Sequence, residues 1–69
     1  MAYKIGNKIA WIMGDNNTMA GEIVDVLWDT YQVKRVDGGI CTVRKHICYL
    51  ASPEDIDSAI SFFRFKNFV

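Results

Sequence analysis

The single histidine and the two cysteines are the side chains of this 69-residue chain best suited to catalysis or metal binding. His46 would need a serine and a carboxylate beside it to activate a nucleophile, but the spacing to Ser58 and Ser61 supports no such set. Cys41 and Cys48 lie seven residues apart, and no Cys-x-x-Cys pair accompanies them, so the chain lacks the ligands of a zinc site. We therefore predict no catalytic residues, no bound metal and no cofactor.

The charge balance limits what the chain can attract. Eight Lys and Arg oppose eight Asp and Glu, so the formal net charge is zero and the general attraction to phosphates is missing. A basic patch would have to be assembled locally by the fold. The residues that could form it with a base-stacking tyrosine are Tyr31, Lys34, Arg35, Arg44, Lys45 and His46. The alternative is a solvated strand face whose lysines discourage aggregation.

Aromatic side chains provide a second candidate site. Trp11, Trp28 and Tyr31 fall at or near predicted strand ends, and Asp29 could supply an acid beside them. Aromatic rings and an acid together form cages that hold methylated lysine or arginine through cation–π contacts. Trp28 and Tyr31 are the candidates for such a cage, while Trp11 is assigned to the core.

Four phenylalanines near the end of the sequence are the third candidate. Phe62, Phe63, Phe65 and Phe68 fall within seven residues, more than one helix face can hide on a small domain. Phe63 continues an apolar stripe begun at Ile56, so we expect it to pack inward. Phe62, Phe65 and Phe68 lie off that stripe, and exposed apolar patches usually mark interfaces. They predict self-association or docking on a partner protein; the alternative is that the tail buries every ring against its own domain.

Short strand-like segments separated by turn residues must position these side chains. We predict strands over 8–13, 20–28, 31–36 and 40–45, with a turn and a brief last strand within 46–50.

The second strand has an irregular apolar spacing. Ile23 and Val26 are three residues apart rather than two, which predicts a bulge near Val24 and Asp25. Such a bulge would return Val26 and Trp28 to the inner face of the sheet.

A hairpin is predicted at Asp37-Gly38-Gly39, because glycines accept the positive backbone dihedrals of tight turns. A three-residue turn there would place Val33 opposite Val43 and Arg35 opposite Cys41. A two-residue turn would shift this register.

A helix is predicted to follow, over about 53–66. Ser52 suits the N-cap, Pro53 the first helical position, and the acids Glu54 and Asp55 complement the helix dipole.

Several sequence segments together resemble those of the small Src-homology-3-like barrels of the KOW and Tudor-like group. They are Lys4-Ile5-Gly6-Asn7-Lys8-Ile9, with Asn7 where Asp is usual, then Gly21-Glu22-Ile23-Val24, Asp37-Gly38-Gly39, and the turn and strand from 46 to 50. The likeness covers roughly 4–50. It implies a five-stranded, partly open barrel that binds RNA, DNA, a peptide or a methylated side chain on a surface groove.

We thus expect one domain over 1–69: a mostly-β barrel at about 4–51 followed by a C-terminal α-helix. No apolar run approaches the roughly 20 residues of a membrane span, and no signal peptide is evident, so we predict a cytoplasmic protein with reduced thiols. The predicted function is non-enzymatic binding of a protein partner, with self-association, through Phe62, Phe65 and Phe68. So small a chain would suit an accessory or inhibitory protein of a phage or mobile element. Nucleic-acid binding by the basic hairpin is the alternative, and an oligomer trapping a small ligand between subunits is a third.

Overall fold

The computed structural model describes residues 2–14 and 17–67, the last three of these by their backbone alone. Its elements in chain order are β1 (Lys8–Ile12), β2 (Thr18–Val26), β3 (Thr30–Arg35), β4 (Ile40–Arg44), a 3-10 turn (Lys45–Ile47), β5 (Tyr49–Leu50) and α1 (Pro53–Asn67). The predicted mostly-β fold with a C-terminal helix is confirmed, and the predicted strand ends are within two residues of the observed ones.

The five strands form one open antiparallel sheet in the order β4-β3-β2-β1-β5. Strands β1 to β4 are a meander, in which each strand pairs with the next along the chain. The two-residue β5 returns to pair with β1, where Leu50 lies opposite Ile9. Strands β4 and β5 are therefore the two edges of the sheet.

The larger side chains of the core lie on the inner face of the sheet. Its largest fully buried side chains are Ile9, Ile23, Tyr31 and Val33. The register explains this grouping, because Ile23 lies opposite Val33 and side chains opposite each other share a face. The Tyr31 hydroxyl accepts a hydrogen bond from the backbone N–H of Tyr3 (2.9 Å), so this buried polar group is paired.

Helix α1 covers the outer face of the sheet and packs mainly on β2. Ala10 and Ala20 lie opposite each other on that face and are fully buried, as is Ala59 of the helix. These small side chains let the helix approach the sheet closely. Their burial defines which side of the helix faces the sheet.

The orientation of α1 corrects one prediction. Phe62 packs against the core together with Ile56 and Ala59, at a spacing of three residues, whereas it was expected outside the inward stripe. The reason is that Ala59 lies against the sheet, so its neighbours one turn away on either side face the sheet with it.

The predicted bulge in β2 is confirmed, since the register with β3 shifts between Ile23 and Asp25. The bulge returns Val26 to the face of the buried Tyr31, which lies opposite it, although Val26 is still about 40% exposed. The expected consequence is wrong for Trp28, which is 95% exposed. Strand β2 ends at Val26, so the alternation that would have turned Trp28 inward stops before reaching it. Trp28 belongs to the turn between β2 and β3.

The register of the β3–β4 hairpin, which the sequence leaves open, is not the one expected for a three-residue turn at Asp37-Gly38-Gly39. Val33 lies opposite Cys41 and not Val43, a shift of two residues that leaves every side chain on its expected face. The turn comprises 36–38, with Gly38 at φ +90°, and Arg35 N–H donates to the Gly39 carbonyl (2.7 Å). One Asp37 carboxylate oxygen accepts hydrogen bonds from Gly39 N–H (2.9 Å) and Arg35 Nε (3.0 Å), which fixes this turn.

Asp37 makes the stability of this turn depend on pH. The Gly39 N–H, and secondarily Arg35, hold the pKa of Asp37 below its ordinary value of 3.8. Since the folded-state pKa is lowered, the stabilisation is complete above the unfolded pKa and is lost as the pH falls through the folded value. We expect Asp37→Asn to be less stable than wild type at neutral pH, with the difference shrinking as the pH falls below 3.8 and through the lowered folded-state pKa of Asp37. Urea unfolding of both proteins across this range measures it, and a constant difference would contradict the assignment.

Candidate protein-binding surface

The basic residues do not form the single patch predicted for nucleic-acid binding. Lys34 lies opposite Ile40 at the turn end of the β3–β4 hairpin, and Arg44 lies opposite Thr30 at the other end. Lys34 and Thr30 are four positions apart on β3, a distance of about 13 Å along the strand. Arg35 is on the opposite face, where its Nε is bonded to Asp37.

Tyr31 is not available to stack on a base or to line an aromatic cage. Its side chain is 1% exposed, and its ring packs against the Tyr3 ring with centroids 6.3 Å apart. The Lys45 ammonium also lies 5.2 Å from the Tyr31 ring centroid, a cation–π contact. Both predicted roles of Tyr31 are corrected by its burial, and no cage forms between Tyr31 and the exposed Trp28. Trp11 is buried, as expected.

The predicted phenylalanine interface is only partly described. Phe62 is half-buried and packs against the core, so much of its ring is already used within the domain. The side chain of Phe65 and all of Phe68 lie outside the described residues, and their part of the interface stays a prediction.

The groups that could do covalent or metal chemistry are dispersed. Cys41 and Cys48 are free, half-buried thiols, and burial raises the pKa of each, which lowers the fraction of reactive thiolate. His46 is exposed in the turn before β5. Within residues 2–14 and 17–67 no three His, Cys, Asp or Glu side chains come together as a metal site.

The most exposed large apolar side chain in the described chain is Trp28. It lies in the turn formed by residues 26–29, which is called the Trp28 turn below. Val26 and Leu27 in this turn are also about 40% exposed. The indole of a tryptophan presents a large apolar surface with one N–H donor, the combination most enriched at the centres of protein interfaces.

Backbone hydrogen bonds hold the Trp28 turn in place. Leu27 N–H donates to the Thr30 carbonyl (2.9 Å), which closes the turn. Lys45 N–H donates to the Asp29 carbonyl (3.0 Å), which ties the turn to the end of β4. The backbone that carries Trp28 is therefore braced, so ordering this turn would cost little backbone entropy.

The sequence marks Trp28 as a candidate residue, but as part of an aromatic cage or of the inner face of the sheet. The indication of its real position was the tight Asp29-Thr30 connection, because a turn that starts at Leu27 leaves Trp28 at its tip.

Comparisons with known proteins do not extend this description. No family model, no curated protein and no solved structure matches the chain. The described part of α1 is neither long enough nor apolar enough to cross a membrane.

Proposed function

We propose that this protein is a non-enzymatic binding module that engages a protein partner through the Trp28 turn. The observation that carries the proposal is the 95% exposure of Trp28 on a turn braced at both ends. Burying an indole removes about 150–250 Å² from water, which is worth about 4–6 kcal/mol before the costs of association. The partner would present an apolar pocket that accepts this ring.

The proposal moves the centre of the interface away from the C-terminal phenylalanines. Phe62 already packs against the core, so its ring offers a partner less new burial than Trp28 does. Phe65 and Phe68 remain candidates for a second part of the interface.

The topology supports the resemblance to Src-homology-3-like barrels of the KOW and Tudor-like group. A four-strand meander, followed by a 3-10 turn and a short β5 on the far side of β1, is the arrangement expected for such barrels. A shared fold does not select the ligand, so the proposal rests on Trp28.

Nucleic-acid binding is the second candidate, favoured by the position of Arg44 and Lys45 beside the Trp28 turn. Trp28 would then stack on a base in place of Tyr31. Replacing Arg44 and Lys45 together by Glu would abolish binding to an oligonucleotide while leaving a protein complex formed through the indole largely intact.

Site-specific photo-crosslinking tests the proposal. Benzoylphenylalanine placed at position 28 should crosslink one defined protein in the source cells, identified by mass spectrometry, because the ring at this position would enter the partner. The same group at Ser61, an exposed position on α1, is the matched control and should crosslink that protein poorly. Equal crosslinking from both positions, or crosslinking to nucleic acid alone, would contradict the proposal.

Self-association is also part of the proposal, and the β4 edge supports it. Arg35 and Gly39 form the hydrogen-bonded pair that closes the hairpin. Hydrogen-bonded and non-hydrogen-bonded pairs alternate along an antiparallel ladder, so the backbone N–H and C=O groups of residues 40, 42 and 44 point away from β3. A second copy could pair antiparallel to this edge about Thr42.

We expect light scattering to report a dimer for the wild type and a monomer for Thr42→Pro. Proline removes an outward N–H without removing a bond to β3, and edge strands tolerate it. A monomeric wild type, or a Thr42→Pro dimer, would contradict pairing through this edge.

A further inference from the structure

A second surface lies on the outer face of the sheet, beside the beginning of α1. It is a groove of about 260 Å³ whose walls include Lys8, Glu22, Lys34, Val36 and Ile56. This volume lies just below the range of pockets that hold drug-sized molecules, so it suits a ligand the size of one amino-acid residue. The groove is separate from the Trp28 turn and plays no part in the protein binding proposed above.

Three charged side chains form a row across the sheet in this groove. Lys8 on β1 lies opposite Glu22 on β2, and Glu22 lies opposite Lys34 on β3. Side chains opposite each other share a face of the sheet, so one carboxylate stands between two ammonium groups. The row therefore carries one net positive charge.

The charges in this row are not paired with each other. In the described part of the chain the one ion pair within 4 Å joins Arg35 and Asp37, and none joins Lys8, Glu22 or Lys34. Both ammonium groups therefore keep donors for an added acceptor. An oxyanion bound between them would make the charge-assisted hydrogen bonds that the row itself does not make.

The apolar wall of the groove limits the kind of anion. Val36 and Ile56 are half-buried, and both pack against the core, so they present a fixed aliphatic surface next to the lysines. A bare inorganic anion would leave this surface in contact with water, whereas an apolar group attached to the anion would cover it.

The N-terminus of α1 does not supply the anion site. Asp55 already accepts hydrogen bonds from Ser52 N–H and Ser52 Oγ (both 2.9 Å), and Ser52 Oγ accepts from Asp55 N–H (3.2 Å). This reciprocal cap occupies the helix start with the protein's own carboxylate. Of the basic residues that line the groove, Arg35 is already paired with Asp37, so Lys8 and Lys34 are the cations left for a ligand.

We propose that this groove binds a carboxylate that carries an apolar side chain, the chemistry shared by a small hydrophobic acid and by the C-terminal residue of a peptide. The carboxylate accepts hydrogen bonds from the Lys8 and Lys34 ammonium groups, in competition with Glu22, and the side chain covers Val36 and Ile56.

Titration with N-acetyl-leucine, followed by two-dimensional NMR of the backbone amides, tests this assignment. We expect saturable shifts at Lys8, Glu22, Lys34, Val36 and Ile56. N-acetyl-leucine amide, which lacks the charge, should bind about ten-fold more weakly. Absence of saturable shifts at millimolar probe, or equal binding of acid and amide, would overturn the proposal.

Variants of the groove give a second readout. Lys8→Met and Lys34→Met should each weaken the binding of N-acetyl-leucine by about ten-fold. Glu22→Gln should strengthen this binding, because it removes a competing carboxylate. Lys4→Met removes an exposed lysine outside the groove and is the matched control. An equal loss of affinity in Lys4→Met would show that the effect comes from the net charge of the protein, and it would overturn the assignment of the site. The NMR spectrum of each variant also reports whether it is folded.

The source of the carboxylate is decided by comparing N-acetyl-leucine with an acetylated hexapeptide that ends in leucine. Binding of the peptide about ten-fold tighter supports capture of a chain end, and equal binding supports a small acid. Trp28→Ala should leave both affinities unchanged. Loss of the groove's ligand and loss of the protein partner are therefore distinguishable.

Discussion

Trp28→Ala is expected to weaken binding of the protein partner by about thirty-fold or more, which corresponds to the roughly 2 kcal/mol lost at an interface hot spot. The free protein exposes 95% of this residue, so removing the indole deletes contact with the partner and almost none with the domain itself. Titration calorimetry with the protein identified by crosslinking measures the affinity, and thermal unfolding measures the stability, which should change by no more than about 0.5 kcal/mol.

The other tryptophan is the matched control. Trp11 is 8% exposed and belongs to the core, so Trp11→Ala should cost about 3–5 kcal/mol of folding free energy. The two substitutions remove the same atoms but should affect different properties. Unchanged affinity in Trp28→Ala, or a loss of stability comparable with that of Trp11→Ala, would contradict the assignment of Trp28 as the anchor.

Gly21→Ala is expected to destabilise the fold by about 3 kcal/mol or more, the upper end of the range for overpacking. A Cβ at Gly21 would lie 2.5 Å from the Lys34 carbonyl oxygen and 2.5 Å from Val33 Cγ1. The first of these atoms belongs to the backbone of β3, so the conflict is relieved only if β2 and β3 move apart. Urea unfolding followed by circular dichroism measures the loss.

Gly14 provides the comparison for this substitution. A Cβ at Gly14 would meet nothing within 4 Å, and the backbone there is not in the left-handed region. Gly14→Ala should therefore change the free energy of unfolding by no more than about 0.5 kcal/mol. Equal effects of the two substitutions would show that lost glycine flexibility, and not the contact between β2 and β3, determines the result.

The sequence predicts the order of the elements well because each has a local cause. Apolar alternation marks the strands, Ser52 and Pro53 mark the beginning of α1, and the three-residue spacing from Ile23 to Val26 marks the bulge. These patterns act over a few residues, so they can be read without the rest of the fold.

The sequence does not predict properties that depend on contacts between distant segments. The hairpin register differs by two residues because the Asp37 side chain bonds Arg35 and Gly39, which moves the turn one residue earlier. The inward side of α1 depends on Ala10 and Ala20, which are about 40–50 residues away in the sequence from the Ala59 that lies near them.

The candidate site was missed for the same kind of reason. Joining Lys34 to Arg44 in one patch required a register that the hairpin does not adopt, and Tyr31 is covered by Tyr3 and Lys45. Trp28 was singled out by its residue type alone. Its exposure depends on where β2 ends, a boundary that alternation does not mark because Leu27 and Trp28 are both apolar.

Fluorescence of Trp28 in the Trp11→Phe variant tests the central claim most directly, because Trp28 is then the sole tryptophan. In the free protein its emission should be that of an indole in water and iodide should quench it strongly. Adding the crosslinked partner should shift the emission to shorter wavelength and protect it from iodide, and both changes should saturate at the stoichiometry of the complex. A partner that binds while the emission and the quenching of Trp28 stay those of the free protein would contradict the account.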